Sequence, residues 1–207
     1  SAEELMGYIS RMKEGDEVSE SVFPSYLSAF ISEYFSMPAG GNGVLYENRL
    51  AALYYAYAMK CRNRFVASWF TFNLTVNNVL TALTARKFKM EVTPLIVGDT
   101  EVCEALRTSN ARDFGLGSEV EYLEQLVKIS ETNELVEREK KIDQLRWDWM
   151  EEATVFDYFT VERLFVFLQQ LEMIERWISL DKEKGNRLFR SMIAALKDEV
   201  QIPAEFR

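Results

Sequence analysis

The sequence contains no histidine among its 207 residues. Ser-His-Asp triads, Cys-His pairs, histidine zinc sites and Glu-x-x-His di-iron bundles all need an imidazole, so these kinds of active site are excluded. The two cysteines, Cys61 and Cys103, lack metal-ligand spacing, and we expect both to be small buried residues of a cytoplasmic protein. Asp113-Phe114-Gly115 matches the metal-binding triplet of protein kinases, but no kinase catalytic loop accompanies it, so we treat it as chance. We therefore predict no catalytic residue, no metal ion and no cofactor.

Helix-breaking residues are also scarce, because the chain has only four prolines and nine glycines. Few breakers favour long helices over a loop-rich β fold. The apolar fraction of 48% is large enough to bury a core in one domain or two small ones. The sequence thus predicts an all-α protein.

Basic residues are outnumbered by acidic ones, 24 to 33, which gives a net charge of −9. Such acidity disfavours nonspecific binding to nucleic acid. Residues 44–90 are the exception, with seven basic side chains and one acidic side chain. We predict that basic side chains of this segment contact a partner, with solvated helix ends paired inside the chain as the alternative. The candidates are Arg86, Lys87 and Lys89 first, then Arg62 and Arg64.

An uncharged run of 21 residues, from Phe65 to Ala85, lies between these two basic clusters. Its length suits a membrane span, but three asparagines and four threonines would be costly in hydrocarbon without partners. We therefore predict a helix buried in a soluble bundle. Asn73 falls in the apolar seam of this helix, where a buried amide specifies packing. The other members of the seam are Val66, Trp69, Val76, Leu80 and Leu83.

Three other segments carry helix or connection signals. Thr160 is the predicted cap of a strongly apolar helix, and apolar residues on more than one of its faces predict a central bundle helix. Met37–Gly43 is the clearest linker between helices. Val92–Gly98 contains a proline and a glycine and predicts a bent connection, followed by a helix that Asp99 or Thr100 caps.

Two segments about 98 residues apart share a pattern. Residues 75–89 and 173–187 each combine an apolar helix with a basic stretch that precedes a short loop. Repeats of this size predict modular helical bundles, and the alternative is the general similarity of apolar helices. We predict two helical-bundle units, residues 1–112 and 113–207.

Four stretches carry a resemblance to a known family, and they are Ile96–Asp99, Glu104–Phe114, Phe156–Glu162 and Glu172–Trp177. They resemble a bacterial family of unknown function that is encoded among V-type ATP synthase genes. The chain is also weakly similar to the C/d family of rotary ATPase stalk proteins, each of which is a socket of three repeated units that joins the central stalk to the membrane rotor ring. Since we find two units, we expect sequence N-terminal to Ser1 to supply the rest.

The resemblance implies a noncatalytic coupling or assembly subunit of a V-type ATP synthase. Its implied partners are central-stalk and rotor-ring subunits, and its implied location is the cytoplasm, on the inner face of the cell membrane through those partners. The alternative is a helical small-molecule-binding protein or enzyme with a polar pocket near Asn73, formed together with Asn77 and Asn78.

Overall fold

The computed structural model describes residues 2–14, 23–36, 43–180 and 182–199. Within these ranges the regular structure consists of nine α-helices and one short 3-10 turn, so the all-α prediction is confirmed for the described chain. The helices are α1 (Ala2–Glu14), α2 (Ser25–Ser36), α3 (Gly43–Ala58), α4 (Arg64–Lys87), α5 (Glu101–Thr108), α6 (Leu123–Ser130), α7 (Leu135–Ala153), α8 (Val161–Ser179) and α9 (Lys182–Glu199), with the 3-10 turn at Thr93–Leu95. The predicted linker Met37–Gly43 lies outside the described residues except for Gly43, where α3 begins.

Side-chain caps explain where several helices begin. The side chain of Asn63 accepts a hydrogen bond from Val66 N at 3.1 Å and starts α4. Thr100, rather than Asp99, caps α5 through its Oγ1. Thr160 caps α8, as the sequence predicts. Each cap satisfies a backbone N–H that the first turn of a helix leaves without a partner.

The chain divides into two compact units, Ser1–Val155 and Phe156–Arg207. The boundary predicted between residues 112 and 113 falls inside the first of these units, because α6 packs on both α4 and α7. The two segments of the predicted repeat also differ: residues 75–87 belong to the unbroken α4, whereas α8 ends at Ser179, within the second segment. The repeated helical units stay a prediction.

Helix α4 is the centre of the first unit. It packs against α3, α5, α6 and α7, and residues on most of its sides are buried. The ring of Phe72 stacks on Trp149 of α7, with centroids 4.8 Å apart, and meets the edge of Tyr122 at 4.9 Å. The prediction that the uncharged run forms a buried helix of a bundle is confirmed. Among the described helices, none combines the length and the hydropathy that crossing a membrane requires.

The predicted burial of α8 is wrong. Of its described residues only Val166 is buried, whereas a central bundle helix would have apolar contacts on most sides. The burial of cysteines is confirmed only in part, because Cys103 is buried and Cys61 is exposed. Periodicity shows which residues share a face of a helix, but it does not show whether the same chain covers that face.

Candidate functional site

Arg86, the first predicted contact residue, is engaged inside the protein. Its Nη1 donates to the carbonyl oxygen of Ala111 and its Nη2 to that of Ser109, each at 2.6 Å. The guanidinium carbon also lies 3.6 Å from the centre of the Phe114 ring, which is a cation–π contact. Burial lowers the pKa of Arg86 from its ordinary value. These contacts fasten the 109–114 loop to the end of α4.

The Asp113-Phe114-Gly115 triplet forms the turn beneath Arg86. Phe114 is buried with a φ of +56°, and Gly115 follows with a φ of +74°. The Oδ1 of Asp113 accepts a hydrogen bond from Gly115 N at 3.0 Å. Because a left-handed backbone is unfavourable for phenylalanine, the packing of its ring under Arg86 has to offset that cost. In this chain the triplet is part of a loop anchor.

The other four candidate residues, Arg62, Arg64, Lys87 and Lys89, are exposed. They lie at opposite ends of α4, whose 24 residues measure about 36 Å along the axis, so the structure does not bring the two clusters together.

At the C-terminal end of α4, Arg86 and Lys87 line a depression of about 460 Å³ together with the exposed Arg112. Basic side chains at this end also complement the partial negative charge of the helix carbonyls. Arg86 already donates to two loop carbonyls, whereas Lys87, Lys89 and Arg112 are exposed at this end of the helix, so these three are the better candidates for contact with a partner.

The three asparagines of α4 point to three different groups and do not line one polar pocket. Asn73 is half-buried, and its Nδ2 donates to the carbonyl oxygen of Trp69 in the same helix at 2.9 Å. Asn77 is exposed, and its Nδ2 donates to the Tyr55 hydroxyl at 3.1 Å. Asn78 is only 2% exposed. The buried amide of this helix is therefore Asn78 and not Asn73.

Asn78 clamps the connection that follows α4. Its Nδ2 donates to Val97 O at 2.7 Å, and its Oδ1 accepts from Val97 N at 3.0 Å. The thiol of Cys103 also donates to Val97 O, at 3.2 Å, and lies 3.3 Å from Asn78 Nδ2. One side chain thus satisfies both backbone polar groups of a loop residue, as a neighbouring strand would.

Arg107 and Gly98 complete this loop. Arg107 Nη2 donates hydrogen bonds to the carbonyl oxygen of Ile96 at 3.1 Å and to that of Gly98 at 2.6 Å. Gly98 has a φ of +85°, and a Cβ placed there would lie 3.2 Å from a methyl carbon of Leu74. The stretches Ile96–Asp99 and Glu104–Phe114, which carry part of the family resemblance, therefore consist of the second half of α5 and the two connections beside it, both held by side-chain hydrogen bonds.

The second unit exposes a row of apolar side chains along α8. Their exposed fractions range from 40% to 79%. Phe156, Tyr158 and Phe159, which precede the helix, are also exposed. In the described residues of this unit, α9 does not pack along α8. We call the row the α8 apolar face, and it consists of Val161, Leu164, Phe167, Leu168, Leu171, Ile174 and Ile178.

Helical periodicity identifies these side chains but assigns them to a core. The sequence does contain one sign that α8 is exposed, because aromatic residues are dense just before Thr160. A buried bundle helix does not need aromatic residues at that position. Soluble proteins rarely leave apolar patches of more than a few hundred Å² open, and such patches mark binding surfaces. Among the residues that the structure describes, the α8 apolar face is therefore a candidate binding surface.

The chain belongs to a family of proteins of unknown function, DUF2764, whose sequence model matches residues 1–200. No curated protein matches it. No solved structure matches it either.

Proposed function

We propose that this member of the DUF2764 family is a noncatalytic coupling or assembly subunit of a V-type ATP synthase. It binds central-stalk and rotor-ring subunits in the cytoplasm, on the inner face of the cell membrane. The choice of complex comes from the resemblance to proteins encoded among V-type ATP synthase genes. We also propose the architecture that the weaker resemblance implies, which is a socket built from repeated helical units, as in the C/d family of stalk proteins.

The observation that carries the proposal is the α8 apolar face. Its seven side chains expose several hundred Å², which approaches the roughly 800 Å² that each partner contributes to a standard interface. Its spacing suits a helix laid along it, since anchors three and four residues apart form a single stripe. Long helices of stalk proteins supply such a surface.

The proposal predicts that charge on the α8 apolar face removes the protein from the complex. The variant carries Leu168→Glu and Leu171→Glu, and the control carries Leu135→Glu, an exposed leucine at the start of α7. Burying a leucine contributes about 1.5 to 3 kcal/mol, so the double variant should bind at least about tenfold more weakly. The measurement is affinity purification from the protein's own cell, with the ATP synthase subunits quantified by mass spectrometry.

The same experiment can refute the proposal. A tagged stalk protein first establishes that the ATP synthase stays intact during purification. If the parent protein then recovers no ATP synthase subunits, the assignment to that complex fails. If the double variant recovers them as fully as the parent does, the contact lies away from α8.

The basic end of α4 supplies a second, electrostatic contribution to the same docking. We expect Lys87→Glu combined with Lys89→Glu to slow association and to weaken its salt dependence, because exposed charges steer encounter more than they hold a complex. Arg86 is left unchanged, because it anchors the 109–114 loop. Arg62→Glu combined with Arg64→Glu tests the other end of α4. The test compares association rates of the parent and of the two double variants at two salt concentrations. Equal rates for all three proteins would contradict a steering role for these charges.

A further inference from the structure

A groove in the first unit runs between α4 and α7 and has no assigned role. Its volume is about 460 Å³, within the range of small-molecule sites. Asn77 and Arg146 lie at one end, and Arg138 and Glu139 lie at the other. Leu80 and Ile142 line the part between them. Glu139 and Arg146 are seven positions apart, which corresponds to about 10 Å of helix, so the groove fits a short molecule.

Arg146 gives this groove its chemistry. Its side chain is only 21% exposed. Its Nη2 donates to Asn77 Oδ1 at 2.9 Å, and its Nη1 reaches Asp143 Oδ1 at 3.4 Å, which is long for a charged hydrogen bond. Its Nε is buried and has no hydrogen-bond partner among the described residues. A guanidinium has five N–H donors, and this one uses two of them.

An incompletely satisfied guanidinium in a groove favours an oxyanion. A carboxylate or phosphate group accepts two parallel hydrogen bonds from the fork of an arginine, and a buried donor without an acceptor is unfavourable. Turning Arg146 toward such a group would give its Nε an acceptor. Arg138 adds a second positive charge. Two carboxylates oppose these charges, Glu139 in the lining and Asp143, which is paired with Arg146 at 3.4 Å. Leu80 and Ile142 offer apolar surface beside these polar ends.

We propose that this groove binds a small organic anion, with its oxyanion on Arg146 and Asn77 and a short apolar body against Leu80 and Ile142. Asn77 also donates to the Tyr55 hydroxyl at 3.1 Å. Occupancy of the groove therefore acts on α3, α4 and α7 together, and the bound ligand stabilises the first unit. This site is separate from the α8 apolar face and does not depend on the proposed coupling role.

The test measures binding of chosen probes to the full chain by calorimetry at constant ionic strength. Hexanoate and hexyl phosphate combine an oxyanion with an apolar body, acetate lacks the body, and hexylamine reverses the charge. We expect saturable binding of hexanoate or hexyl phosphate, weaker binding of acetate and none of hexylamine. Which of the first two binds more tightly distinguishes a carboxylate from a phosphate ligand. Absence of saturable binding for both overturns the proposal.

Three variants assign the site. Arg146→Gln should weaken binding by on the order of tenfold to a hundredfold, and Arg146→Lys should retain part of it, because the charge remains but the fork is lost. Lys128→Gln removes an exposed positive charge of α6 outside the groove and should bind like the parent. Equal affinities of Arg146→Gln and the parent would refute the site. If Arg146→Gln does not fold, the site is tested in the parent protein by NMR. The side-chain N–H resonance of Arg146 must then shift when hexanoate is added and must not shift when hexylamine is added.

Discussion

Asn78 offers the sharpest test of how the first unit is held together. Replacing it with leucine keeps the approximate size but removes the donor to Val97 O and the acceptor for Val97 N. Val97 N then has no acceptor, while Val97 O keeps the weaker thiol donor of Cys103 at 3.2 Å. Because a buried polar group without a partner costs about 1 to 3 kcal/mol, we expect Asn78→Leu to lower the free energy of unfolding by about 2 to 4 kcal/mol.

The matched control is Asn73→Leu in the same helix. Its amide donates only to the carbonyl of its own preceding turn and is half-buried, so we expect a change within about 1 kcal/mol. Urea titration followed by tryptophan fluorescence measures both variants, since Trp69 and Trp149 lie in the first unit. If the two substitutions change the midpoint equally, the Asn78 clamp does not determine stability.

Asn78→Asp makes the same argument depend on pH. The ionised carboxylate would place an oxygen against Val97 O, where the amide donates at 2.7 Å. Burial and this repulsion raise the pKa of the new carboxyl in the folded state above its unfolded value of about 3.9. The native state then binds the proton more tightly, so stability falls as pH rises through that pKa. Unfolding at pH 4 and pH 7 should show the smaller defect at pH 4, and equal defects would refute the reasoning.

Two further predictions concern the same unit. Gly98→Ala should destabilise the protein by about 1 to 3 kcal/mol, because φ is +85° and the new Cβ would lie 3.2 Å from Leu74. Gly115→Ala should cost about 1 kcal/mol, because φ is +74° but no atom lies within 4 Å of the new Cβ. Thermal unfolding of the two variants compares these costs. Burial raises the pKa of Tyr122 to about 12 from 10.0, so the stability it contributes is complete below pH 10 and is lost as pH rises to 12. The titration of tyrosine absorbance should show one phenol fewer ionising near pH 12 in Tyr122→Phe than in the parent. If the phenol missing from the variant is instead one that ionises near pH 10, the raised pKa of Tyr122 is contradicted.

The sequence predicts local structure well where one residue type has one dominant role. Thr160 at the start of a periodic segment predicted a cap, and the uncharged run between basic clusters predicted a buried helix. Both inferences rest on residues that are contiguous in the sequence, the cap on a single turn and the helix on one run of 21 residues. Asn78 could not be distinguished from Asn73 in the same way, because its partner Val97 is 19 residues away and the partner's contribution is a backbone group. Any residue at position 97 other than proline presents the same N–H and C=O, so no side-chain pattern marks the pair.

The candidate contact residues show a second limit of sequence reasoning, which concerns what covers a surface. A row of basic residues at a helix end and an apolar stripe look alike whether they face solvent, the same chain or another protein. Arg86 looked available but is bonded to two loop carbonyls, whereas Leu168 looked internal but is exposed. In both cases the side chain was placed on the expected helix, and only the occupant of its face differed. An apolar face that its own unit leaves open is unfavourable in water, and association with a partner removes that cost. A binding partner should therefore be sought first at the α8 apolar face.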